Sequence, residues 1–180
     1  MIEPQNQENN APGKNSSEDS GTDVDFPVVG IGASAGGLES LQEFFKEMVP
    51  EPGAAFVIIQ HLSPDHKSLM DEILARFTRM TIHRVEHGMK VEKNHIYLIP
   101  PRMNMTIYHG QLMLSAHVPD GSLNLPIDIF LRSLAQDKEK NAIGIILSGT
   151  GSDGALGIRA IKEYGGIAMV QDNQSAKFDG

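Results

Sequence analysis

"VVGIGASAGGLES", residues 28–40, decides how the chain reads. A β-branched run gives way, through small residues, to a segment in which Leu38, Leu41, Phe45 and Met48 recur at helical spacing. The local order this implies is strand, tight turn, helix. Two chemistries use such a turn. Gly30, Gly32 and Gly36 form a G-x-G-x-x-x-G variant of the dinucleotide-binding fingerprint, whose glycines let a pyrophosphate approach the backbone. Residues Gly32-Ala33-Ser34-Ala35-Gly36 equally spell G-x-S-x-G, in which a serine on a sharp strand-to-helix turn is lifted clear of the sheet.

Outward from that turn the alternation continues. "AAFVIIQ" (54–60) reads as the next strand and "SLMDEILARF" (68–77) as the next helix, with Ser68 as its N-cap. "HIYLIP" (95–100), "MTIYH" (105–109) and "QLMLSA" (111–116) read as short strands, the last two joined by a hairpin turn at His109-Gly110. Then come "PIDIFLRSLA" (126–135) as helix, "AIGIILSG" (142–149) as strand, "GALGIRAIKEY" (154–164) as helix and "GIAMV" (166–170) as strand. The predicted fold is α/β: three layers, a mostly parallel doubly wound sheet flanked by helices, with a small antiparallel hairpin excursion around residues 95–115.

Composition bounds the rest. At 180 residues, 40% hydrophobic and 21% charged, the chain suits one domain with a proper core. The formal charge of −8 is uneven: residues 1–25 hold Glu3, Glu8, Glu18, Asp19, Asp23 and Asp25 against Lys14 alone. That stretch lacks hydrophobic periodicity, so residues 1–25 are expected to be a disordered acidic tail and residues 26–180 the folded domain. No basic footprint suggests a nucleic-acid partner. The N-terminal segment has no signal-peptide pattern, and no apolar run approaches bilayer length, so no membrane insertion is expected. The chain has no cysteine, which fits a cytoplasmic location.

In a parallel sheet, function gathers in loops after the strands' carboxyl ends. That rule nominates "GASAGG", "QHLSPDH" and "SGTGSDGA". The nucleotide reading wants an acid at the end of the second strand, where Gln60 and His61 stand instead; Glu51 falls in the preceding turn, and a Walker lysine is missing. The serine reading finds its partners. A serine hydroxyl needs a base and something to orient that base, and His61 and Asp153 follow two other strands. Each has a plainer role: Ser34 as a helix cap, His61 as a strand-end residue, Asp153 as a cap of the helix starting near Ala155. Their joint placement after three strand ends favours catalysis. His83 and His87, four apart in a strand-and-turn segment without H-E-x-x-H, are not expected to bind metal, and Asp128 reads as a cap or solvated residue at a helix start. His66, His95, His109 and His117 read as solvated or strand-end residues.

"GIGASAGGLESL", "VIIQHLSPDH" and "GIILSGTGSDGALGIRAIKEYGG" together closely resemble the catalytic domain of the CheB-type protein-glutamate methylesterases of bacterial chemotaxis, from about Val28 to Gly180. The resemblance implies a serine hydrolase that demethylates glutamate methyl esters on chemoreceptor helices, releases methanol, also deamidates receptor glutamines, and needs no cofactor or metal. It makes Ser34 the nucleophile, His61 the base and Asp153 the residue that orients His61, and it places the oxyanion donors at Ala35 and Thr150. Ala35 stands where the family commonly has threonine, losing a hydroxyl donor, and Thr150 where methionine is common. The Thr150 backbone amide is unaffected by that exchange. Asp128, in "LPIDIF" (125–130), falls in a segment that resembles a family stretch near the active site, and is left out of the triad. The segment "IPPRMNMTI" (99–107) resembles the version in proteins that fuse this domain to a CheR-type receptor methyltransferase, which implies a fused or associated partner of that kind. A location at cytoplasmic receptor clusters follows from the same resemblance, as does an expectation that family sequence continues past Gly180. The Ala35 departure leaves a second reading, a catalytically weak regulatory module of a larger signalling fusion, and the nucleotide-binding domain stays as a third.

Overall fold

The computed structural model describes residues 26–34, 36–60, 69–117, 123–149 and 151–176. The tail over residues 1–25 and the expected cap Ser68 lie outside them.

A six-stranded parallel sheet forms the middle layer. Its order is β3 (Thr81–Arg84), β5 (His95–Leu98), β2 (Ala55–Gln60), β1 (Val28–Ala33), β8 (Ala142–Ile146) and β9 (Ile167–Val170). All six residues of β1 are buried, as a strand covered on both faces must be. Successive side chains feed opposite cores: Val28, Ala55, Val57 and Ile59 face one way, and Val29, Ile31, Phe56 and Ile58 the other.

The second of those faces is closed by α1 (Gly37–Lys46), through Leu41 and Phe45, and by the short α2 (Met70–Leu74), through Met70 and Leu74. The first face is closed by α3 (Pro126–Lys138), α4 (Ala155–Glu163) and a small antiparallel sheet. That sheet runs β4 (Met89–Lys90), β7 (Gln111–Ala116), β6 (Met103–Tyr108), and lends Met105, Ile107 and Leu112 to the core. A three-layer doubly wound domain results. Among the described residues, no helix is long and apolar enough to cross a membrane.

Gly30 and Gly32 explain why α3 can lie so close to the central strand. A Cβ on Gly30 would stand 2.7 Å from Leu131 Cδ2, and one on Gly32 2.4 Å from Ile127 Cγ2. Both are closer than carbon atoms can approach, so either the α3 side chains or the helix itself would have to shift. The glycine pattern that resembled a dinucleotide fingerprint is thus occupied by helix-to-sheet packing.

Two local expectations shift. "HIYLIP" does not belong to the antiparallel excursion: Ile96 and Leu98 enter one core and Tyr97 the other, so β5 is buried on both faces and pairs in parallel with β2 and β3. The excursion instead recruits β4, two residues with too little sequence to show a period. The helix expected over 68–77 is only five residues long, Met70–Leu74, with Leu69 at its N-cap position.

Candidate active site

The carboxyl ends of β1 and β8 open onto a cleft of about 360 Å³ whose lining includes both Ser34 and Asp153. Leu125, Ile127, Ile146 and Val170 supply much of its apolar wall.

Ser34 is the first residue beyond β1 and is held by its backbone. Its amide donates to the Ser148 carbonyl at 3.2 Å, and its own carbonyl accepts from Gly37 N at 2.9 Å, at the start of α1. The turn between them passes through Gly36 with φ 75°, a left-handed conformation that costs glycine nothing. Gly149 closes the other side; a Cβ there would meet Ser34 Cβ at 2.7 Å. Ser148, itself buried, donates its amide to Gln171 Oε1 at 2.8 Å. The serine turn, the end of β8 and the residue after β9 therefore form one hydrogen-bonded chain.

Asp153 reaches the same cleft from the loop between β8 and α4. Its carboxylate accepts the Ile127 amide on Oδ2 at 3.1 Å and the Asp128 amide on Oδ1 at 2.9 Å. Asp153 thus caps the first turn of α3, a helix distant in sequence, while the N-cap of the helix that follows it is Gly154, with φ 103°. A carboxylate held at both oxygens by backbone N–H groups has little freedom to rotate.

Of the five residues expected at the site, Ser34 and Asp153 come together in one cleft, while His61, Ala35 and Thr150 lie outside the described residues. The strand that leads into His61 is nevertheless in register with the serine strand: Gln60, the last residue of β2, pairs with Ala33. Because the Ser34 amide is committed to Ser148, an oxyanion formed at Ser34 needs other donors. The positive end of α1, starting three residues on, favours negative charge nearby.

The other histidines part company. His83 Nε2 hydrogen-bonds His95 Nδ1 at 3.2 Å, while His87 Nδ1 accepts the Leu114 amide at 3.1 Å. Among the described residues, no three His, Cys, Asp or Glu side chains form a metal-binding group. Asp128, read from sequence as a cap or a solvated residue, is buried, and its Oδ1 accepts the Gly157 amide of α4 at 2.7 Å. Its flanks in "PIDIF" were the one available signal, since an acid between apolar neighbours on a core-facing helix must find a buried partner. Nothing in the sequence pointed to Gln171.

The family model for CheB methylesterase matches residues 29–180. The chain belongs to the CheB methylesterase family. Among similar curated proteins is a protein-glutamate methylesterase/protein-glutamine glutaminase of Paraburkholderia xenovorans, 33% identical over 149 residues, which cover 81% of this chain and 41% of that protein. A protein of the same description from Photorhabdus laumondii is 30% identical over 152 residues, 82% of this chain and 43% of that one. An uncharacterized 104.1 kDa protein of Rhodobacter capsulatus is 40% identical over 111 residues, 62% of this chain but only 12% of that protein. The chain therefore spans about two-fifths of the length of the methylesterases it matches, and a segment similar to it also occurs inside a much larger protein. The crystal structure of the Thermotoga maritima CheB methylesterase catalytic domain superposes with a TM-score of 0.75 at 24% identity, covering 86% of this chain and 84% of that one, so the fold is the CheB catalytic fold.

Proposed function

We propose that this domain is a serine hydrolase that removes methyl groups from glutamate methyl esters on chemoreceptor helices, with Ser34 as nucleophile, His61 as base and Asp153 orienting the imidazole. The observation that carries the proposal is the meeting of Ser34 and Asp153 in one cleft of a CheB-family fold. Ser34 Oγ attacks the ester carbonyl while His61 takes its proton; the C–O bond to methoxide breaks as His61 returns the proton, and methanol leaves. Water, deprotonated by His61, then attacks the glutamyl ester of Ser34 and restores the hydroxyl. Backbone N–H groups at Ala35 and Thr150 are the proposed oxyanion donors, a role their side chains do not limit. The cleft's apolar wall suits the methylene chain of a glutamyl side chain, and replacing methoxide by ammonia as leaving group gives glutamine deamidation by the same steps.

The proposed partners are methylated receptor helices. A fused or associated CheR-type methyltransferase is supported by the sequence of residues 99–107 and by the Rhodobacter relative, in which the matching segment is a small part of a large protein. Methanol release from receptor fragments methylated with labelled methyl groups tests the activity. The wild-type chain should release methanol, and Ser34→Ala should fall by about 10⁶-fold, beneath detection; equal release by both would refute the role of Ser34.

A further inference from the structure

The N-termini of α3 and α4 meet beside the cleft and exchange carboxylates. Asp153, in the loop entering α4, takes the amides of Ile127 and Asp128 in the first turn of α3. Asp128, in that first turn, takes the Gly157 amide in the first turn of α4 at 2.7 Å. The helices come this close because Gly157 lacks a side chain, whose Cβ would lie 2.5 Å from Leu131 Cβ. Asp128 is 4% exposed, yet its Oδ2 has no hydrogen-bond partner. A buried carboxylate oxygen without a partner costs about 1–3 kcal/mol or more. Stability alone therefore gives a poor account of an aspartate at this position, since Gly157 engages only one of its two oxygens.

We infer that Asp128 is a positioning residue: by tying the first turn of α4 to that of α3, it fixes the carboxylate of Asp153 relative to Ser34. The inference rests on the hydrolase reading above. Asp153 stands one residue before Gly154, the N-cap of α4, so any slide of α4 against α3 carries Asp153 with it. Without the Asp128 bond, Asp153 would have to hold the two helix ends together while also orienting the imidazole. With it, the two carboxylates share the first task. A displacement of about 1 Å at such a group is enough to cost on the order of 100-fold in rate.

Substitutions at Asp128 in the full 180-residue chain separate positioning from simple folding. Asp128→Ala should lower kcat by about 10–100-fold with KM nearly unchanged. It should also move the acid limb of the pH–rate profile to lower pH, because a displaced Asp153 stabilises the imidazolium less. Asp128→Asn, which keeps an oxygen for Gly157, should restore most of kcat. If the alanine chain does not fold, Asp128→Glu, with its carboxylate one methylene farther out, should show the same loss of kcat. Wild-type kcat and pH profile in the alanine or glutamate chain overturn the inference, whatever happens to Tm, as does an asparagine chain no better than alanine. Amide exchange at Gly157 is read alongside: it should quicken in the alanine or glutamate chain and not in the asparagine chain. If the wild-type chain releases no methanol, the hydrolase reading fails by itself; unchanged Gly157 exchange in the alanine or glutamate chain overturns the clamp by itself.

Discussion

Ser34 and Asp153 are held almost entirely through backbone groups, and the two differ in what their removal does to the fold. Ser34→Ala deletes a hydroxyl that makes no hydrogen bond among the described residues, so Tm should stay near the wild-type value while turnover disappears. Asp153→Ala strips two amide donors in the first turn of α3 of their acceptor. It should cost about 1–3 kcal/mol by denaturant unfolding as well as about 10⁴-fold in kcat. An alanine chain with wild-type stability would mean water replaces the carboxylate at no cost, contrary to the cap described. The sequence made both residues visible because each follows a strand. It could not show that Asp153 caps α3, since that bond joins segments 25 and 26 residues apart and leaves no spacing to read.

At the scale of elements, Gly30 and Gly32 decide how near α3 comes to β1, and with it where the cleft's Ile127 wall stands. Gly32→Ala should destabilise by about 1–3 kcal/mol through overpacking against Ile127 and Ile146, with Gly30→Ala costing less because leucine side chains can yield more readily. Melting of the two variants checks the order. On the opposite layer, α2 is fastened to β3 by Arg84, whose guanidinium donates two 3.0 Å hydrogen bonds to the Asp71 carboxylate. Those bonds hold the Asp71 carboxyl below its ordinary value and the Arg84 guanidinium above its own. A depressed folded-state pKa stabilises above the unfolded value of about 3.9 and ceases to as pH falls through the folded value. Asp71→Asn should therefore melt below wild type at pH 7, with the gap closing under about pH 3.9; a gap independent of pH would mean the pair contributes through packing. Helix and strand runs were legible wherever hydrophobic period was long, as in β1, α1 and α3. The short α2, the two-residue β4 and the parallel pairing of β5 were not, because each depends on which neighbour buries it.

Across the whole molecule, one parallel sheet separates two cores, and the candidate site sits at the end of the sheet where helices from both layers begin. Phe45 and Phe130 anchor the two cores, each with essentially no exposed surface. Either Phe→Ala change should cost about 3–5 kcal/mol and leave a single cooperative unfolding transition, because both cores share the same strands; two separate transitions would show that the layers fold independently. The overall α/β architecture was legible because strands and helices alternate along the chain, and the family because three separated motifs keep their order. The arrangement of β8, β1 and β2 side by side is what turns those motifs into a site, and it is topology, not motif, that supplies it. The most direct measurement of the central claim is peptide mapping after reaction with a fluorophosphonate, in wild-type and His61→Ala chains. A single adduct on Ser34 is expected in the wild type, and its loss without the imidazole. An unlabelled Ser34, or labelling indifferent to His61, would contradict it.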